Sequence, residues 1–206
     1  VVSSGTVNDF YWQWALTPPG TGVVQDFEGE GWMIEKQEVV SRQEIATRVA
    51  ELGQAISRDY AGRRLVMIGI LNGAFIFMAD LVREIALPLE IDFIRVSSYG
   101  SSTCSSGAVQ CTKDTELELA GKDVLLVEDI VDTGTTLACL KDLFAARNAQ
   151  SVRICALIDK KERRTVEVTV DYAGFEVAEG FLVGYGLDHA EQHRQYPAIY
   201  KIVGGV

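Results

Sequence analysis

Two hydrophobic patterns alternate along the chain. The first is a short, nearly unbroken apolar run, seen in Leu65 to Leu71, Val124 to Val127 and Ser151 to Ile158. Such runs mark strands covered on both faces of a parallel sheet. The second pattern is helical. Ile45, Val49, Leu52 and Ile56 form one apolar face behind Ser41 and Glu44, which have capping-box spacing. Arg48, Glu51, Gln54 and Arg58 fall off that face and read as solvated, and Gly62 ends the segment. A second helix runs from the Asn72-Gly73-Ala74 turn through Ile85 and is closed by Pro88; a third covers Leu137 to Arg147. Leu89 to Ser97 alternates Ile91, Phe93 and Val96 with Glu90, Asp92 and Arg95, the period of a strand. Shorter strands are expected at Tyr172 to Val177, Phe181 to Gly184 and Ile199 to Val203, with a short helical segment from Tyr185 to about Gln195.

Strands that alternate with helices predict an α/β fold. It would be an open, mainly parallel twisted sheet flanked by helices, joined by right-handed crossovers. The C-terminal short strands would form a small cap over the carboxyl edge, to which the N-terminal arm can add. Residues 32–206 read as one domain. Residues 1–31 read as an extension of open role, in which Phe10, Tyr11, Trp12 and Trp14 cluster before the breakers Pro18-Pro19-Gly20 and Gly22. Such an arm suits either a neighbouring subunit or an edge of its own domain.

The chemistry concentrates after the second apolar run. Glu128 and Asp129 are followed by Asp132-Thr133-Gly134-Thr135-Thr136, and then by a helix. A loop between strand and helix lies at the carboxyl edge, where α/β sheets bind ligands. Successive backbone N–H groups at the helix N-terminus, three Thr hydroxyls and the close approach that Gly134 allows suit a phosphate monoester. Glu128 and Asp129 suit ribose hydroxyls or Mg²⁺. Together they describe a phosphorylated ribose. The loop is not of the Gly-x-x-x-x-Gly-Lys-Ser/Thr type. Asn72-Gly73-Ala74 repeats the strand–turn–helix arrangement and can take a second anion. Ser98 to Thr112 is small, polar and long, as a lid would be.

Composition narrows the partners. Among 206 residues, 19 Lys+Arg against 29 Asp+Glu leave a net charge of −10. That argues against a nucleic-acid partner. No apolar run approaches the ~20 residues of a membrane span, and no basic-then-apolar leader opens the chain. Cys104, Cys111, Cys139 and Cys155 lack metal-type spacing and are expected to be reduced in a cytoplasmic protein, although Cys104 and Cys111 are close enough in sequence to bridge. His189 and His193 lack the Glu that a zinc-protease helix carries after its first His, so a metal pair there is not expected.

The loop Val124–Leu137 resembles the phosphoribosyl-pyrophosphate signature of the type I phosphoribosyltransferases. Four further motifs agree in order: Leu71-Asn72-Gly73-Ala74-Phe75, Ser98-Tyr99-Gly100, Asp171-Tyr172-Ala173-Gly174-Phe175-Glu176, and Phe181 to Asp188. Together, over roughly Ile34 to Val203, the chain resembles the hypoxanthine-guanine phosphoribosyltransferases. The resemblance implies Mg²⁺-dependent transfer of phosphoribose from phosphoribosyl pyrophosphate to a 6-oxopurine. It implies Asp132 as general base at purine N7 and Thr133, Gly134, Thr135 and Thr136 on the 5′-phosphate. Glu128 and Asp129 would hold the ribose or metal, and Asp188 a second metal. Leu71, Asn72 and Gly73, with a cis peptide before Gly73, and Arg194 would hold pyrophosphate. Lys160 would donate to the 6-oxo group, Phe181 would stack on the base and Leu182 would meet its edge. Ser98 and Tyr99 would close over the reaction. Family members often carry Lys where this chain has Asn72, and some where it has Thr135, which implies altered affinity for the anions. A homodimer or homotetramer is also implied. The alternatives are a relative that prefers xanthine, or a non-catalytic regulator on the same fold that binds nucleotide or RNA.

Overall fold

The computed structural model describes residues 23–28, 32–97 and 110–203. Its main sheet contains β3 (Leu65–Leu71), β4 (Leu89–Ser97), β5 (Gln110–Lys113), β6 (Asp123–Val131), β7 (Ser151–Asp159) and β8 (Tyr172–Glu176). Their order is β5-β4-β3-β6-β7-β8. All neighbours are parallel except the edge pair β4–β5. Strand order therefore runs outward from β3 to β4 in one direction and from β6 to β7 in the other. The crevice between the loops after β3 and β6 is the topological switch point, where such sheets bind ligands.

The helices are α1 (Arg42–Asp59), α2 (Phe75–Arg83) and α3 (Thr135–Ala146). Side chains alternate across the buried strands. Met67, Leu125 and Cys155 join Ile45, Val49, Leu52 and Ile56 of α1 and Phe77 and Leu81 of α2 in one core. Ile68, Leu126 and Ile154 join Leu137, Leu140 and Phe144 of α3 in the other. The expected α1 face, capping box and buried strands are all observed. Arg48 is a correction: its Nε donates to Gly174 O (2.9 Å) and its Nη2 to Ala173 O (2.7 Å), tying α1 to β8 instead of pointing to solvent.

A second sheet, β1 (Val23–Glu28), β2 (Trp32–Val40), β10 (Ile199–Ile202) and β9 (Leu182–Val183), is antiparallel and forms the cap. Val183, Tyr196, Ala198, Tyr200 and Ile202 make its own small core. The Lys36 ammonium is buried there, 3.6 Å from the centre of the Tyr196 ring. The segment from Tyr185 to Gln195 is not helical. It is a chain of turns with bridges Gly184↔Leu187 and His189↔Gln192, and Tyr185, Ala190, Glu191 and His193 take positive φ, which no helix tolerates.

One cysteine departs from the expected reduced state. Cys139 of α3 is disulfide-bonded to a partner outside the described residues, whereas Cys111 and Cys155 are free. Cys111 is therefore not bridged to Cys104, and its thiol donates to Lys113 O.

Asp92 on β4 anchors the end of β5 and the segment that follows it. It accepts from Thr115 Oγ1 (2.6 Å), the Glu116 N–H (2.7 Å), the Phe93 N–H (2.7 Å) and Lys113 Nζ (3.1 Å). Burial pushes its pKa up, but these donors outweigh burial and hold the carboxyl well below the ordinary range. A depressed carboxylate contributes stability that is complete above its unfolded pKa of about 3.9 and is lost as pH falls toward the folded value. Asp92→Asn should therefore cost about 1–3 kcal/mol at neutral pH. The variant's urea midpoint should converge on that of wild type as the pH falls below about 4. Equal midpoints at pH 7 would show that the anchor carries no stability.

Candidate active site

The three helices begin differently. Ser41 caps α1 through its side chain, and Glu44 returns the bond. α2 starts at Ala74 and α3 at Gly134, and neither has a side-chain cap. Their first N–H groups make only long bonds, Phe75 N–H to Asn72 O (3.4 Å) and Thr135 N–H to Thr133 Oγ1 (3.5 Å), and both starts lie at the carboxyl edge beside the crevice between β3 and β6, where helix N-termini suit an anion. The Gly134 N-cap leaves Thr133 Oγ1 as the side-chain acceptor at the start of α3, in that long bond from the Thr135 N–H.

Gly134 has φ +84°, and a Cβ there would lie 2.5 Å from Val166 O. The position therefore admits only glycine on both conformational and steric grounds. The main chain of 165–166 braces the loop: the Thr165 and Val166 N–H groups both donate to Thr133 O (3.0 Å). Asp132 is half-buried. Its Oδ2 pairs with Arg163 Nη1 (3.3 Å), while its Oδ1 is buried with no hydrogen-bond partner among the described residues.

Glu128 and Asp129 end the buried part of β6. Burial and the facing Asp129 charge raise the Glu128 pKa well above the ordinary range. Burial likewise raises that of Asp129, against the hydrogen bonds it accepts. The Asp129 carboxylate lies against Gly73, where a Cβ would overlap its Oδ2. On the other side of the same turn, a Cβ on Gly186 would overlap Gly73 O. Three loops thus meet at Gly73 without room for one more carbon.

Arg194 reaches this junction from the turns after β9. Its Nη1 donates to Gly186 O (2.8 Å), and its Nη2 pairs with Asp188 (2.8 Å) and Glu191 (3.0 Å). Lys160 is 8% exposed; its ammonium donates to Gly180 O (3.1 Å) and pairs with Glu162 (3.3 Å). Gly180 precedes Phe181, which stays 45% exposed beside the buried Leu182.

The model of the phosphoribosyl transferase domain matches residues 36–190. The chain belongs to the phosphoribosyltransferase family. It is 43% identical over 167 residues to the hypoxanthine phosphoribosyltransferase of Salmonella typhimurium, covering 80% of this chain and 94% of that protein. It is 46% identical over 161 residues to the hypoxanthine-guanine phosphoribosyltransferase of Bacillus subtilis, covering 78% and 89%. A crystal structure of a Staphylococcus aureus hypoxanthine phosphoribosyltransferase superimposes with a TM-score of 0.76 at 40% identity, covering 81% of this chain and 90% of that one.

Against the phosphoribosyltransferase motifs, the structure brings the residues from separate parts of the chain to one edge of the sheet. Leu71, Asn72 and Gly73 follow β3. Glu128, Asp129, Asp132, Thr133, Gly134, Thr135 and Thr136 lie at the end of β6 and the start of α3. Lys160 follows β7, and Phe181, Leu182, Asp188 and Arg194 belong to the cap and its turns. Ser98 and Tyr99 lie outside the described residues. The cis peptide is Leu71–Asn72, one bond before the expected position. Asp188 lies with Arg194, and its Oδ2 accepts from the Glu191 N–H (2.9 Å). Two arginines after β7 support the loop from behind and beside it. Arg163 pairs with Asp132, and Arg164 is largely buried behind the loop.

Proposed function

We propose that the protein transfers phosphoribose from 5-phosphoribosyl 1-pyrophosphate to N9 of hypoxanthine or guanine, releasing pyrophosphate. The observation that carries this reading is Asp132. A carboxylate oxygen that is buried with no hydrogen-bond partner among the described residues, just before the start of α3, can accept a proton from a bound ring nitrogen, which supports this reading. The N–H groups of Thr133 to Thr136 take the 5′-phosphate. The turn at Leu71, Asn72 and Gly73 takes pyrophosphate, with Arg194 beside it. As the C1′–oxygen bond to pyrophosphate breaks, the N9–C1′ bond forms, and Asp132 holds the N7 proton.

Lys160 supports the choice of base. Its ammonium has three donors; one goes to Gly180 O, and Glu162 lies in ion-pair range at 3.3 Å. An ammonium donor can serve the 6-oxo group, which accepts; the 6-amino group of adenine cannot. Phe181 stacks on the ring and Leu182 meets its edge.

Glu128 and Asp129 fit Mg²⁺. Two adjacent carboxylates whose ionisation is opposed by burial and by each other are relieved by a divalent cation. Among the described residues no cluster of three ligands forms, so substrate oxygens and water would complete the shell, as Mg²⁺ commonly requires. When bound, the ion neutralises charge on the leaving pyrophosphate. Asp188 as a second ligand, Ser98 and Tyr99 as lid, a homo-oligomer and a cytoplasmic location complete the proposal. No helix among the described residues is long and apolar enough to cross a membrane.

The test is nucleotide formation from phosphoribosyl pyrophosphate and Mg²⁺ with hypoxanthine, guanine, xanthine and adenine separately. Turnover of hypoxanthine or guanine without adenine is expected. Binding of phosphoribosyl pyrophosphate without turnover of any base would overturn the reading.

A further inference from the structure

Behind the phosphate loop, Arg164 makes hydrogen bonds to both sides of the site. Its Nε donates to Asp132 O (3.1 Å), and its Nη2 to Val131 O (3.3 Å), Lys160 O (3.3 Å) and Asp159 Oδ1 (2.5 Å). Its Nη1 donates to Val168 O (3.3 Å). Its stem lies under Gly134, where a Cβ would come within 3.1 Å of Arg164 Cδ. The Asp159 partner is 7% exposed, so the ion pair is largely withdrawn from water.

The place of these bonds in the sheet is informative. β6 and β7 pair in parallel up to Val131↔Asp159, and Lys160 N–H donates to Val131 O just beyond. After that the ladder stops and the two loops separate, one carrying Asp132 and the other Lys160. The guanidinium takes the place of the missing ladder. Its planar fork can bind carbonyls of both chains in one plane, which an ammonium cannot. In a purine, N7 and the 6-oxo group lie side by side on one edge. Asp132 and Lys160 would read those two atoms, so their spacing must match that edge.

Resting on the proposed reaction, we propose that Arg164 is a positioning residue. It fixes the separation of Asp132 and Lys160 and so sets the fit to the purine edge, without touching substrate. The phosphate-holding N–H groups are braced separately, by Thr165 and Val166 on Thr133 O and by α3 itself. Loss of the guanidinium should therefore damage the purine step and spare binding of phosphoribosyl pyrophosphate.

The experiment compares wild type with Arg164→Met and Arg164→Lys. It measures kcat, KM for hypoxanthine, Kd for phosphoribosyl pyrophosphate and the thermal midpoint, with and without added guanidinium. A displacement of about 1 Å at a reacting group costs about 100-fold, so kcat/KM for hypoxanthine should fall by about that factor in both variants. Kd for phosphoribosyl pyrophosphate should stay unchanged, and guanidinium should partly restore turnover of Arg164→Met. If Arg164→Met does not fold, the split between purine kinetics and phosphoribosyl pyrophosphate affinity in Arg164→Lys decides. Unchanged purine kinetics in a folded variant would overturn the inference. So would a parallel fall of both affinities and the thermal midpoint, because that is what a structural role predicts. Wild type that turns over no base would instead overturn the proposed reaction, so the two failures are distinguishable.

Discussion

Asp132→Asn is expected to lower turnover by about 10²–10⁴-fold, the range for removal of a general base, with little change in purine affinity. The substitution keeps size and shape. An amide oxygen can still accept from Arg163, which now pairs with Oδ2. What disappears is the second acceptor, the buried Oδ1 that has no partner among the described residues. In its place an N–H₂ would face the ring nitrogen, donor against donor. Burst kinetics with hypoxanthine, together with hypoxanthine binding in the presence of pyrophosphate, separate chemistry from affinity. Unchanged turnover would remove Asp132 from the role of base.

Gly73→Ala should be nearly as damaging by a different route. The added methyl overlaps the Asp129 carboxylate, and the turn cannot retreat because Gly186 packs against Gly73 O. Either Asp129 leaves the side of Glu128 or the pyrophosphate turn moves outward. A shift of about 1 Å in a positioning group costs about 100-fold in rate. Affinity for phosphoribosyl pyrophosphate should fall with it, because both Asp129 and the turn would contact that substrate. Gly62→Ala is the control: Gly62, unlike Gly73, has positive φ, and a Cβ there meets nothing within 4 Å. It should lower stability modestly and leave activity intact. Calorimetric titration with phosphoribosyl pyrophosphate checks both. Equal affinity in Gly73→Ala and wild type would show that the turn does not contact the substrate.

The parts legible in the sequence are those that periodicity and capping chemistry encode locally. Leu65–Leu71 and Leu89–Ser97 begin and end where the apolar patterns do, and Ser41 with Glu44 marks the start of α1. The phosphate loop was legible because it packs its chemistry into consecutive residues. Strands β1 and β2 were not, because nothing in the local pattern says that Val23–Glu28 pairs with Trp32–Val40, or that Trp32–Val40 pairs in turn with β10, more than 150 residues away. The His189 and His193 spacing suggested a helix, but positive φ at Ala190, Glu191 and His193 rules one out. The roles of Arg48 and Arg164 are not legible in the sequence, for one shared reason. Most of their partners are backbone carbonyls, which every residue has and no sequence pattern announces.

The contrast between the capping box of α1 and the weakly bonded starts of α2 and α3 also bears on how long the protein survives. Without anions, the first N–H groups of α2 and α3 make only long bonds, from Phe75 to Asn72 O (3.4 Å) and from Thr135 to Thr133 Oγ1 (3.5 Å). Whatever occupies those starts binds the native chain and not the unfolded one, and so deepens the native well with the logarithm of its concentration. Substrate supply would then act on abundance as well as flux. A cell rich in phosphoribosyl pyrophosphate would hold more of its copies closed to proteases, and a starved cell would clear them sooner.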